Sequence, residues 1–204
     1  MYLALLGMTL MLVGCATGPR VVVWDRVPFP KDSDWPSSRG EPATMKENDL
    51  LLQGQDVRTL RAYAPPVTIE CDVVLESRSA SDGSFDLYFL PAGQPLGVNL
   101  RQLTKFRIIY SNTGDYGSLD RLEIDRRDGD KSSVVWTESP FKVEAGKVYH
   151  LKANLLPAGK LNISINDVEA SIPNTVSLPY RSFQVQLGSW QPTNRWHVQN
   201  LSIH

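Results

Sequence analysis

In the run Val67-Thr68-Ile69-Glu70-Cys71-Asp72-Val73-Val74-Leu75, apolar and polar residues trade places almost without a break. Val67, Ile69, Cys71, Val73 and Leu75 fall on one phase of a two-residue period; Thr68, Glu70, Asp72 and then Glu76 fall on the other. Successive side chains of an extended strand point to opposite faces, so this spacing predicts a strand with one buried face and one wet face. A helix needs apolar residues three and four apart, and no stretch of the chain sustains that interval.

The same period recurs on both sides. Phe85, Leu87 and Phe89 repeat it, as do Phe106, Ile108 and Tyr110, then Leu122 and Ile124 among Arg121, Glu123 and Asp125. Asp128-Gly129 predicts a hairpin turn into Ser133-Val134-Val135-Trp136. Tyr149, Leu151, Ala153 and Leu155 form a further strand, Pro157-Ala158-Gly159 breaks it, and Leu161, Ile163 and Ile165 return antiparallel to a tight turn at Asn166-Asp167. Phe183, Val185 and Leu187 give the penultimate strand and Trp196 to Ile203 the last. About a dozen short strands separated by Gly, Pro, Asn and Asp predict an all-β fold, an antiparallel β-sandwich, with no internal repeat. Ser33 to Glu41 reads as an irregular loop between strand-like segments.

The 204 residues carry 21 Lys and Arg against 22 Asp and Glu, a net charge of −1 with the signs interspersed. That balance leaves no electrostatic footprint for nucleic acid, so this partner class is set aside. Once a leader is removed, the remainder is enough for one well-packed domain. The 2 cysteines are Cys15 and Cys71. Cys71 shares the apolar phase of its strand and reads as a buried free thiol rather than a nucleophile, which needs a base and exposure.

From Tyr2 to Gly14 the chain is uncharged and mostly apolar, shorter than the roughly 20 helical residues that span a hydrocarbon core. A signal-peptide core fits that length. Leu12-Val13-Gly14-Cys15 resembles the bacterial lipoprotein signal position by position. The resemblance implies diacylglycerol on the Cys15 sulfur, cleavage after Gly14, and a membrane partner reached through that lipid. Ala16, where an Asp would favour the inner membrane by family rule, points to the outer membrane of a bacterial cell envelope. The implied organisation is a signal peptide over 1–14, lipidated Cys15 with a short tether over 15–19, and a β-sandwich domain over 20–204. A lipidated Cys15 is barred from a disulfide, so the exported domain must hold together by packing.

The order of features resembles the concanavalin A-like lectin/glucanase jelly roll, in particular its laminin-G-like form. Val21-Val22-Val23-Trp24-Asp25 is similar to the opening strand of that fold, Asp34-Trp35 and Gly40 to its first loop, and Glu47 to Leu52 to its second strand. Val67 to Glu76 is similar to its long strand, Lys160 to Asn166 to its hairpin, and Trp196 to Ile203 to its closing strand. The fold hosts lectins, glycosidases, lyases and adhesion modules, so the chemistry has to be argued from the site.

Leu122-Glu123-Ile124-Asp125-Arg126-Arg127-Asp128 compares with the laminarinase-type glycosidase motif, in which spaced acids line one face of a sheet. Glu123 and Asp125 match its first two positions, and the turn at Asp128-Gly129 is expected to carry the third carboxylate off the sheet. A retaining glycosidase needs its two carboxyl groups about 5 to 5.5 Å apart. The other reading is a solvated strand face on which Arg121 and Arg127 pair the acids.

A sugar site combines flat aromatic faces with planar polar groups. Tyr88, Arg107, Arg121, Glu123, Gln184 and Gln186 fall on the polar phase of their strands and are expected to share one concave face, with Tyr116, Trp190 and Trp196 on or near loops beside it. No cofactor is called for. Asn112, Asp115 and Asp120 in one Gly-rich loop offer hard oxygen ligands for calcium, or serve as turn formers. His150, His197 and His204 lack metal-ligand spacing. Three readings follow: an anchored lipoprotein that binds glycan or another extended polymer; a glycoside hydrolase or lyase using Glu123 with Asp125 or Asp86; and a structural lipoprotein that contacts other envelope proteins.

Overall fold

The computed structural model describes residues 24–26, 44–46, 48–54, 56–94, 100–112, 119–169, 176–191 and 193–204. The expected leader and tether with Cys15, the segment Ser33 to Glu41 expected as a loop, and the site candidates Asp115 and Tyr116 lie outside these residues.

Among the described residues fifteen strands, numbered in chain order, form two antiparallel sheets. The seven-stranded sheet runs β1 (Trp24–Arg26), β4 (Asp56–Thr59), β14 (Phe183–Trp190), β6 (Gly83–Pro91), β7 (Gln102–Tyr110), β8 (Arg121–Asp128) and β9 (Lys131–Glu138). The second sheet runs β12 (Val168–Glu169), β11 (Lys160–Ile165), β10 (Val148–Leu155), β5 (Val67–Ser77), β15 (Arg195–Ile203), β3 (Asp49–Gln53) and β2 (Thr44–Lys46), with β13 (Val176–Ser177) pairing β11. Neighbours come from opposite ends of the chain: β14 sits between β4 and β6, and β15 between β3 and β5. The interleaving joins early and late segments in both layers.

The two-residue period does its expected work. In β5, Val67, Ile69, Cys71, Val73 and Leu75 are buried, while the alternate positions are partly exposed. Phe85, Leu87 and Phe89 of β6 and Phe106, Ile108 and Tyr110 of β7 meet them from the other sheet in one continuous core. Each such side chain taken out of water contributes roughly 1.5 to 3 kcal/mol. Burial, and then the neighbouring Asp72 charge, push the Cys71 thiol up to about 12, which makes it an inert core residue.

Trp196 requires a correction. It is not a loop aromatic beside a ligand but a fully buried residue of β15, opposite Leu52 and Leu75 in register and on the inward phase of its strand. Its ring packs 6.1 Å from that of Phe85 and 6.4 Å from that of Tyr110, so it ties the two sheets together.

The β8–β9 turn lies one residue later than expected. Asp128 ends β8 and pairs Lys131, leaving Gly129 and Asp130 as the two turn residues. Gly129 has φ +62° and Asp130 is not left-handed, the requirement of a II′ hairpin, whose first central residue is glycine. Asp128 thereby falls on the opposite phase from Glu123 and Asp125 and bonds Gln102 instead. The Asn166-Asp167 turn is as expected, both residues having positive φ, 50° and 63°.

Candidate ligand-binding face

With its apolar phase turned into the core, the seven-stranded sheet turns its polar phase outward, and the strand registers line these residues up in rows. Asp56, Gly188, Asp86, Arg107, Glu123 and Trp136 lie in one row across β4, β14, β6, β7, β8 and β9. The next row reads Arg58, Gln186, Tyr88, Lys105, Asp125 and Val134. On the other side Trp190, Ser84, Ile109, Arg121 and Glu138 follow one another. Of the expected ligand residues, Tyr88, Arg107, Arg121, Glu123, Gln184, Gln186 and Trp190 all belong to this outward phase.

The ionic groups here are unusual for a sheet surface because they are buried. Asp86, Lys105, Arg107, Glu123 and Asp125 are each less than a tenth exposed. Arg107 ties the middle of the face together: its Nε donates to Asp86 Oδ1 at 3.0 Å, its Nη1 to Glu123 Oε1 at 3.1 Å and its Nη2 to Ser84 Oγ at 3.0 Å. Asp86 also accepts from Ser84 at 2.6 Å and from Tyr88 at 3.1 Å. Glu123 accepts from Arg121 Nη2 at 2.6 Å. Asp125 pairs with Lys105 at 3.5 Å and Arg127 at 3.4 Å. The expected pairing of the acids by Arg121 and Arg127 is therefore present, with Lys105 and Arg107 added from β7.

Burial alone would raise the Asp86 carboxyl; Arg107, then Lys105, then the bonds from Ser84 and Arg107 outweigh it and hold the group below the usual carboxylate range. For the Arg107 guanidinium burial opposes the charge, and Asp86 and Glu123 more than restore it, moving it upward. Tyr88 is driven well above the usual phenol range by burial and then by Asp56 and Asp86. Asp56 differs: burial and then Asp86 push it up to about 7 against the pull of Lys105, Arg58 and a Gln186 bond.

Aromatic surface flanks the ionic strip. Trp136 is 54% exposed, with the Arg121 guanidinium 5.4 Å from its ring centre. Trp190 lies partly buried at the far end of β14, with Arg107 at 6.0 Å. Sequence reasoning passed over Asp56, Arg58, Lys105 and Trp136. Lys105 was readable, being one step from Phe106 on the phase already assigned outward. Asp56-Val57-Arg58-Thr59 alternates too, in a strand only four residues long. Trp136 was hidden because Val134-Val135-Trp136 is apolar on both phases.

The other sheet's outward face is ordinary by comparison. Its pairs, Glu70 with Lys152 at 2.6 Å, Glu76 with Arg195 at 2.8 Å and Asp72 with His150 at 2.9 Å, are substantially exposed. Exposed pairs contribute little to stability. Gln184 is committed to the Thr59 carbonyl at 2.7 Å.

The calcium candidates sit elsewhere, at one end of the sandwich. Asn112 and Asp120 line a cavity of about 580 Å³ together with Arg78, Glu138 and Lys142. Asp120 accepts from Arg78 at 2.9 Å and from the Ser111 and Val143 backbone N–H groups at 3.0 and 2.7 Å. A guanidinium thus stands where a cation would meet that carboxylate. Among the described residues no group of three or more His, Cys, Asp or Glu is placed to hold a metal ion.

Two stacked antiparallel sheets with this interleaved strand order make the chain a concanavalin A-like jelly-roll sandwich. Solved structures of the same class align over nearly the whole chain. The carbohydrate recognition domain of Emp47p has a TM-score of 0.62 at 12% identity, covering 92% of this chain and 90% of that one. A Bacillus licheniformis β-glucanase has a TM-score of 0.59 at 9% identity, covering 92% and 94%. The carbohydrate-binding module CBM66 from Bacillus subtilis has a TM-score of 0.56 at 14% identity, covering 89% and 94%. No protein-family model and no curated protein matches the sequence. At these identities the likeness establishes the fold.

Proposed function

We propose that this chain binds carbohydrate on the outward face of its seven-stranded sheet and is held in a bacterial cell envelope, at the outer membrane, by lipid on Cys15. The observation that carries the binding reading is the row of buried, mutually bonded ionic groups ending at Trp136. Fixed planar donors and acceptors beside an exposed indole are what a sugar needs: hydroxyls for the first, C–H faces for the second. Structural neighbours that are a carbohydrate recognition domain and a carbohydrate-binding module agree with it. The anchoring half is supported by Leu12-Val13-Gly14-Cys15 alone.

The geometry favours binding over hydrolysis by Glu123, Asp125 or Asp86. Each of these carboxylates already accepts from, or pairs with, two cationic side chains. A general acid must deliver a proton from such an oxygen, and these oxygens are engaged in the opposite sense.

The test is a glycan array probed with the full chain in detergent micelles, with reducing-end release assayed in parallel. Binding without release is expected, and Trp136→Ala should weaken it at least tenfold while leaving the melting temperature within about 1 °C, since this indole is mostly in water. Release abolished by Glu123→Gln would establish the hydrolase reading instead; silence in both assays would point to a structural envelope protein.

A further inference from the structure

Among the described residues, most sheet edges are short. β1 and β2 have three residues each, and β12 and β13, which share one edge, have two each. β9 is different: it runs eight residues, Lys131 to Glu138, with no described strand on its far side. Shortness, charge or proline on an edge strand discourages pairing with another chain. Between its ends β9 has none of these. Ser132-Ser133-Val134-Val135-Trp136-Thr137 is uncharged and rich in strand-forming residues, and Val134 and Trp136 are each more than half exposed.

The direction of its free backbone groups follows from β8. Ser139 N–H donates to the Asp120 carbonyl at 2.9 Å, directly opposite it in the register that pairs Glu138 with Arg121. Hydrogen-bonded and non-bonded pairs alternate along an antiparallel ladder. Ser133, Val135 and Thr137 therefore bond to β8, while Ser132, Val134, Trp136 and Glu138 aim N–H and C=O at the open edge. Pro140, next on that phase, has no N–H and closes the row.

We propose that β9 pairs with β9 of a second copy of this chain, antiparallel about a twofold axis through Val135. This register uses the whole free row between the Gly129-Asp130 turn and Pro140. Val134 then stands opposite Trp136 of the second copy, and Trp136 opposite its Val134, so a β-branched residue meets an aromatic twice on the outward face. No like charges meet, because the Lys131 residues of the two copies lie at opposite ends of the ladder, as do the Glu138 residues. Ser132 stands opposite Glu138 of the second copy. Arg127, the half-exposed β8 partner of Ser132, reaches over that small side chain towards the same carboxylate. The strand is thus complementary to itself in pattern and in charge, which selects a second copy over an unrelated strand. The two seven-stranded sheets become one, and the row from Asp56 to Trp136 continues through Val134, Asp125 and Lys105 of the second copy. This pairing goes beyond the carbohydrate reading and stands without it.

The experiment is sedimentation equilibrium of the full chain in density-matched detergent, with micelles in excess over chains, from about 1 to 100 µM. The protein mass is expected to rise with concentration to twice that of one chain. Val134→Pro removes an N–H that bonds nothing within the single chain, so it should weaken association at least tenfold while the circular dichroism spectrum is unchanged. Arg127→Glu should weaken it roughly threefold, and Arg127→Glu combined with Glu138→Arg should restore it. Mild oxidation reads the register. Val135→Cys should link to its own copy, since opposed Cα atoms of a non-bonded pair lie about 4.5 Å apart, within disulfide reach. Ser133→Cys, on the same side of the strand, should stay unlinked, with the unsubstituted chain as the background. Single-chain mass at every concentration, association indifferent to Val134→Pro, or linkage by Ser133→Cys in place of Val135→Cys would overturn the proposal. If the proline unfolds the chain, the oxidation result decides. No sugar takes part in these measurements, so glycan retained by a single-chain form would leave the carbohydrate reading standing if the pairing fails.

Discussion

At the scale of single residues, the outward face divides its carboxylates into two kinds. Asp86 is clamped by donors and stays ionised; Asp56, part-buried over Gly188 with one amide bond, holds its proton to about 7. An acid whose folded value exceeds its unfolded value of 3.8 binds more protons folded than unfolded between the two, so it lowers stability as pH climbs through that window. Asp56→Asn should therefore leave the melting temperature nearly unchanged at pH 4 and raise stability at pH 8 by up to about 4 kcal/mol, read from denaturant melts at both values. The opposite outcome, loss of stability at pH 8, would mean that Lys105 and Arg58 outweigh burial and Asp86 at this carboxyl. Asp86→Ala should destabilise by about 3 to 5 kcal/mol, because Arg107 and Lys105 keep their charges with one partner fewer. Asp56 was illegible in the sequence because its character comes from the missing side chain of a glycine 132 positions away, a proximity only the folded sheet creates.

At the scale of elements, the strands themselves were the most readable feature. Two-residue alternation marks β5, β6, β7, β10, β11 and β14 because each has one dry face, and a one-residue slip would expose its whole apolar set. The same rule placed Tyr88, Arg107, Glu123 and Gln186 together on the wet phase before any pairing was known. It failed on Trp196, where the polar and apolar residues of Arg195-Trp196-His197-Val198 alternate correctly but an aromatic was taken for a rim residue rather than core. The β8–β9 hairpin carries its own check. Gly129→Val places a β-branched residue at φ +62° and should cost about 1 to 2 kcal/mol or more, with Gly129→Ala milder, measured as a shift in urea midpoint. Equal stability of all three chains would mean that the hairpin does not depend on a II′ turn.

For the molecule as a whole, the architecture rests on packing between two layers, with the sole described cysteine buried and inert. Thermal unfolding of the chain should accordingly be the same with and without reductant, and Trp196→Ala should lower stability by about 3 to 5 kcal/mol by removing the ring that joins the sheets. Envelope anchoring is checked separately: radiolabelled palmitate should enter the expressed chain and fail to enter Cys15→Ser. Fold class was legible because it follows from periodicity, which most of the longer strands repeat; function was not, because the candidate face depends on which strands neighbour which, and β4 and β14 are far apart in the chain. The registers across that sheet give the face one more property. Neighbouring strands are spaced by roughly 4.8 Å, so the row from Asp56 to Trp136 is a ruler graduated in strands. Any ligand lying along it is measured in steps of that size, and a longer reach requires another strand at the edge, since lengthening those already present adds only parallel tracks.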